Sequence, residues 1–177
     1  MKILISDEGV LLCMELFILR HGKAEQSSDG TADADRALTR KGKEGVKKVA
    51  QWMKGNKIRF DAIATSPLKR AQGTAKIVAA VLDQKDRLIV WDELAPGGDL
   101  DTVCYHASGY GEHATVLVIG HEPGLSMLVS KIIGDTSNGS IGFAKAGLAK
   151  IQNYTYTKRP SGDLQWLLTP KHLRDKR

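Results

Sequence analysis

Two strand-length apolar runs, Leu16-Phe-Ile-Leu19 and Val116-Leu-Val-Ile119, each give way within two residues to a histidine, His21 and His121. Nothing else in the chain constrains its fold as tightly. Uninterrupted aliphatic runs of this length, bounded by polar residues, belong to strands buried on both faces, and such strands occur in parallel sheets covered by helices. In those sheets the backbone breaks away at the carboxyl end, so the residues just past the last strand position line the crevice where ligands bind. Arg20 and His21 hold that place after the first run, and His121 holds it after the second. Gly22 lets the chain turn there without a Cβ in the way.

The remaining segments fit the same plan. Thr39 is placed to cap a helix in which Val46, Val49, Ala50 and Met53 recur at helical spacing, with Gly55-Asn56 as its stop. Phe60 to Thr65 reads as a short strand. Ser66-Pro67 then reads as an N-cap with proline at the first helical position. The helix that follows carries Arg70 about one turn in, aimed at the rim that holds Arg20. Arg87 to Trp91 reads as a third strand, and Asp99 as the cap of a helix with Leu100, Val103, Cys104 and Ala107 on one side. Leu125, Leu128, Val129 and Ile132 define another helix, and Gly134 to Gly142 a loop. Ala146 to Tyr156 and Leu164 to Leu168 read as two closing strands joined by a hairpin-like connection through Lys158 and Asp163.

Strands alternating with helices imply an α/β fold, a three-layer αβα sandwich around a mainly parallel sheet. Residues 14 to 170 make one domain, preceded by an extension, residues 1 to 13, that is either a further strand and turn or a poorly anchored segment with Met14 as the true start. A basic tail, residues 171 to 177, follows.

At 177 residues the chain can bury a core without disulfides or metals. Its two cysteines, Cys13 and Cys104, form no paired ligand spacing, and a reducing cytoplasm is the expected location. No run reaches the roughly 18 apolar residues of a membrane span. The net charge of +6 favours acidic or phosphorylated partners. Much of the excess, however, falls on one helix face (Lys41, Lys43, Lys47, Lys48, Lys54) and in the tail, which weakens a nucleic-acid-binding reading. No HExxH-like spacing suggests a zinc hydrolase.

Arg20, His21, Arg70 and His121 thus converge on one rim from separate parts of the chain. Two guanidiniums and an imidazolium facing a phosphoryl group would neutralise its nonbridging oxygens, which is most of what phosphoryl transfer asks of a protein. With these residues in view, the chain resembles the histidine phosphatase superfamily, the phosphoglycerate-mutase-like proteins, and within it the SixA-type phosphohistidine phosphatases. The matching segments are Leu16 to Ala24, Leu38 to Gly42, Asp61 to Ala71, Glu93 to Asp99 and Val118 to Gly124, in the expected order.

The resemblance implies that His21 is the nucleophile, transiently phosphorylated, and that Arg20, Arg70 and His121 form the phosphate pocket, with neither metal nor organic cofactor. To attack, His21 must be neutral at one ring nitrogen, so the other should give its proton to a fixed acceptor, such as a backbone carbonyl in the following turn. Members acting on alcohol phosphates use a carboxylic acid to protonate the leaving oxygen. Glu93 is the candidate here, with Asp99 better explained as a cap. A phosphohistidine substrate relaxes that need, because a protonated imidazole departs readily. The expected partner is therefore a phosphorylated protein, or else a small phosphorylated substrate, with no nucleic acid and no membrane. One departure is Gly73, which stands where the family often has glutamine.

Overall fold

The computed structural model describes residues 14–26, 32–134 and 141–173. The extension 1–13, the end of the basic tail and parts of two loops lie outside the described residues. Ten regular elements follow one another: β1 (Glu15–Arg20), α1 (Arg40–Gly55), β2 (Ala62–Thr65), α2 (Lys69–Leu82), β3 (Leu88–Val90), α3 (Leu100–Ser108), β4 (Thr115–Gly120), α4 (Gly124–Ile133), β5 (Leu148–Tyr156) and β6 (Pro160–Leu168). They build one six-stranded sheet in the order β3-β2-β4-β1-β5-β6. The first four strands of that order are mutually parallel, β5 runs antiparallel to β1, and β6 runs antiparallel to β5.

Alternation along β1 divides the core. Leu16 and Ile18 face α3 and α4, among Val103, Cys104, Ala107, Leu125, Leu128 and Val129. Phe17 and Leu19 face the opposite layer, against α1 and α2 through Val46, Val49, Met53, Ala75 and Val78. This is the expected αβα sandwich, and the two runs that end in histidine are its central pair, with Leu16 opposite Val116 and Arg20 opposite Gly120. Because β1 and β4 are parallel and in register, their carboxyl ends fall side by side.

Local chemistry sets most boundaries. Thr39 caps α1, its hydroxyl accepting from the Gly42 N–H at 2.9 Å. Asp99 caps α3, accepting from the Asp101 N–H at 3.0 Å and from the Thr102 hydroxyl at 2.6 Å. Gly73 lies inside α2, where a methyl would meet Leu38 Cδ1 at 3.3 Å and nothing else closely. Glycine in a helix interior costs roughly 0.5–1 kcal/mol relative to alanine, and one leucine methyl can yield a few tenths of an ångström. Gly73→Ala should therefore raise the urea midpoint of unfolding modestly. A lower midpoint would mean that Leu38 is locked.

Three expectations need correction. Ser66 does not cap α2: that helix begins at Lys69 with Leu68 at its N-cap position, so Arg70 is its second residue rather than a turn inside. The Ser66 hydroxyl is used elsewhere, as described below. The penultimate strand begins at Leu148, not Ala146, because Ala146 adopts a left-handed conformation (φ 56°) that ends a tight turn. The last strand begins at Pro160, four residues before Leu164. A Pro-Ser-Gly start looks like a connection in sequence, but β6 is an edge strand, where a missing N–H leaves no ladder bond unmade. Gly162 also lets the strand lie close on β5, since a Cβ there would meet Ile151 Cγ2 at 2.6 Å.

Candidate active site

The last residues of β1 and β4 and the first turn of α2 deliver their polar side chains to one place. The rings of His21 and His121 have centroids 4.8 Å apart at an interplanar angle of 51°. Arg70 enters beside them, close enough for its charge to act on both rings, and Arg20 acts on His121. His21, Arg70 and His121 are 4%, 6% and 5% exposed, so three ionisable side chains share a nearly closed floor. Such groups are seldom buried without specific partners.

His21 is held by the turn that follows it. Its Nδ1 pairs with the Gly22 carbonyl oxygen at 2.7 Å, the backbone acceptor expected from sequence. With Nδ1 donating the proton to that carbonyl, Nε2 carries the lone pair. The turn is fixed in its own right: the Gly22 N–H donates to Thr74 Oγ1 at 3.1 Å, and that hydroxyl donates to the Arg70 carbonyl at 2.8 Å. Thr74 thereby ties the histidine turn to the helix that carries Arg70. From the other side, the Lys23 carbonyl accepts from the Thr39 N–H and lies against Gly42, where a Cβ would enter the carbonyl itself.

His121 is oriented by Ser66, whose Oγ lies 2.9 Å from Nε2 and also accepts from the Leu68 N–H at 3.3 Å. Its Nδ1 has no partner among the described residues, and neither has Arg20 Nε. Arg20 Nη1 donates to the Phe143 carbonyl. Glu122, next to His121, accepts from the Phe143 N–H at 2.9 Å and faces Arg20. Arg70 is held by Asp33, from the single turn Asp33–Asp35: Nη1 donates to the carbonyl at 2.6 Å and Nη2 to the carboxylate at 2.9 Å.

Burial holds both imidazoles neutral. His21 is pushed down to about 3, chiefly by burial, then by the charge on Lys145, with His121 and Arg70 adding to it and the Gly22 hydrogen bond opposing. His121 is pushed down to about 4, again by burial first and Arg70 second. The imidazolium expected from sequence is thus a neutral ring at physiological pH. A histidine whose folded pKa is depressed binds fewer protons in the native state than in the unfolded chain, so stability rises with pH across that window. Unfolding free energy should therefore fall as pH drops from about 6.5 towards 4. His21→Gln should flatten that fall in urea titrations at several pH values. An unchanged slope would count against a neutral His21.

Sequence reasoning placed Arg20, His21, Arg70 and His121 on one rim, and the structure brings all four together. Glu93 lies half-exposed on the turn Asp92–Leu94 after β3, a turn that packs on the end of β4 with the Leu94 carbonyl 3.4 Å from where a Gly120 Cβ would lie, and it makes no hydrogen bond to the four residues among the described residues. Three contributors were missed: Asp33, Ser66 and Lys145, whose Nζ lies 3.5 Å from His21 Nε2. Among the described residues no group of three or more histidine, cysteine, aspartate or glutamate side chains could hold a metal ion, and no helix is long and apolar enough to cross a membrane.

A neutral histidine with one free nitrogen, ringed by guanidiniums at the carboxyl edge of a parallel sheet, defines an oxyanion site of the phosphoryl-transfer kind. The chain belongs to the histidine phosphatase superfamily, and it is a phosphatase. The model of that superfamily, branch 1, matches residues 16–96. The chain is 30% identical over 164 residues to the phosphohistidine phosphatase SixA of Escherichia coli, covering 91% of this chain and 97% of that protein. It is 28% identical over 147 residues to a SixA homologue of Haemophilus influenzae, covering 78% and 87%. Among solved structures, the protein histidine phosphatase SixA complexed with tungstate superposes with a TM-score of 0.78 at 29% identity, covering 91% of this chain and all of that one. A phosphoserine phosphatase of Entamoeba histolytica shares the fold, with a TM-score of 0.65 at 17% identity and coverage of 91% and 100%.

Proposed function

We propose that this phosphatase removes the phosphoryl group from phosphohistidine on a protein, through a phosphorylated His21. The observation that carries the nucleophile is the His21 Nδ1 to Gly22 carbonyl contact of 2.7 Å, which leaves Nε2 as the attacking atom. In the first step Nε2 forms a bond to phosphorus as the substrate's P–N bond breaks. The electron pair leaves with the substrate imidazole, which takes up a proton. In the second step water attacks phosphorus, the P–Nε2 bond breaks, and phosphate departs with the enzyme restored.

Arg20, Arg70 and His121 surround the reacting group. Arg70 presents a planar fork whose two Nη atoms hold the Asp33 backbone carbonyl and carboxylate, and the paired oxygens of a phosphoryl group would take their place. Arg70→Lys keeps the charge and loses the fork, and kcat/KM should fall by about 10²-fold, the scale of one lost oxyanion contact. Stopped assays at saturating and limiting substrate would measure it, and a loss below threefold would show that a point charge suffices.

The choice of P–N over P–O substrates is supported by the SixA relatives, both named for phosphohistidine. A carboxylic acid is needed most when the leaving group is an alkoxide, and Glu93 is the candidate for it. A small-molecule phosphomonoesterase is the second reading, favoured by the fold shared with a phosphoserine phosphatase and by Glu93 as its acid. Assaying a phosphohistidine protein beside sugar, nucleotide and amino-acid phosphate esters decides between them. Preference for the phosphohistidine protein is expected, and faster turnover of any ester would overturn it. We place this activity in signalling in the cytoplasm, with residues 14–170 as its working domain.

A further inference from the structure

We infer that Lys145 is a catalytic residue of this site, the cation that binds a nonbridging oxygen of the phosphoryl group as it passes to His21 Nε2. The inference rests on the phosphatase reading and extends it to a residue the sequence did not single out.

Three observations carry it. First, Lys145 Nζ lies 3.5 Å from His21 Nε2, the nitrogen left to attack once Nδ1 is committed to Gly22. A group that close to the nucleophile is within reach of any oxygen on the phosphorus that Nε2 attacks.

Second, the backbone holds Lys145 in place. The Ala146 N–H donates to the His21 carbonyl at 3.2 Å, the Gly147 N–H donates to the Ala144 carbonyl at 2.8 Å, and the Arg20 N–H donates to the Gly147 carbonyl at 3.0 Å. The left-handed Ala146 closes this turn and turns the chain into β5. A turn pinned at both ends to Arg20 and His21 fixes where Lys145 starts, while its exposed side chain stays open to an arriving substrate.

Third, the other cations of the site are partly engaged by protein groups. Arg70 already holds the Asp33 carboxylate, Arg20 faces Glu122 and holds the Phe143 carbonyl, and His121 is neutral. A phosphoryl dianion brings two negative charges. Lys145 makes no ion pair among the described residues. Partial burial, then the charges on Arg20, Arg70 and Arg36, with Glu122 opposing, hold its pKa below the usual lysine value although much of the side chain stays open. A lysine crowded by guanidiniums, with no ion pair of its own among the described residues, is a cation left to face an anion.

In the transfer the lysine stays protonated. It donates an N–H to the oxygen while the leaving imidazole takes its proton from solvent. Lys145 is therefore an electrostatic clamp and not the acid.

Calorimetric titration of the full chain with inorganic phosphate tests this without turnover, so its result stands apart from any failure of the phosphoenzyme. K145M should weaken phosphate about tenfold or more, the scale of one charge-assisted hydrogen bond. K145R should recover most of the loss. In the same proteins, the imidazole titration of His21 followed by NMR should move to higher pH in K145M, because Lys145 acts on that ring together with Arg70 and His121. Unchanged phosphate affinity in K145M would overturn the inference. So would a loss that K145R fails to restore when both variants melt with the wild type, or the absence of phosphate binding by the wild type itself.

Discussion

His21→Ala lowers turnover of any substrate by about 10⁴-fold or more and leaves no phosphorylated enzyme, because the chemistry runs through one nitrogen. The effect is not one of folding. Ring removal from a nearly buried site leaves a small polar cavity bounded by His121 and Arg70, and it also removes a buried base that destabilises the native state below about pH 6.5. The variant should melt near the wild-type temperature at neutral pH and bind inorganic phosphate through the groups that remain. Activity within tenfold of wild type in a steady-state assay would mean that another residue makes the bond to phosphorus.

Gly42→Ala is expected to be, with Gly98→Ala, among the most damaging single methyls at the glycines of the described residues. Its Cβ would fall on the Lys23 backbone carbonyl, with Lys23 C and N at 2.9 Å behind it, and backbone cannot swing aside as a side chain can. The first turn of α1 must back away from the turn after β1. Val46, which already abuts Gly22, moves with it. Overpacking costs typically 1–3 kcal/mol and occasionally more, and a backbone clash belongs at the top of that range. For a domain of this size about 3 kcal/mol lowers Tm by roughly 6–12 °C. Catalysis should fall further than stability explains, because Lys23 is the neighbour of the carbonyl that orients His21. Circular-dichroism melts set beside kcat at 20 °C would separate the two losses. A melt within 2 °C or so of wild type would show that α1 rides more loosely on the turn than the contact implies.

How far the site was legible in sequence follows from what carried each part. Arg20, His21 and His121 could be placed because they end apolar runs, and a parallel sheet puts such ends side by side. The Gly22 acceptor followed from the chemistry a neutral nucleophile needs. Thr39 and Asp99 capped as expected because capping is local. Ser66 was misplaced because the same serine chemistry that caps a helix also orients an imidazole, and only the fold shows which partner is nearer. Asp33 lies in a polar stretch with no periodicity to aim it.

Lys145 left a usable signal. The strand after it was expected to begin at Ala146, and a strand laid antiparallel beside β1 starts at the rim where β1 ends. What periodicity could not supply was that β5 pairs with β1 rather than with another strand. The early start of β6 was hidden for a related reason. Pro160 and Gly162 read as a turn until the strand is known to lie at the sheet's edge.

The central claim is that His21 Nε2 forms a bond to phosphorus. The most direct test is to mix the wild-type chain with a 32P-labelled phosphohistidine protein, quench in denaturant within milliseconds, digest, and locate the label. The account predicts one acid-labile, alkali-stable phosphopeptide spanning Arg20-His21-Gly22. Label on any other peptide, or release of phosphate with no labelled peptide at any quench time, would contradict it.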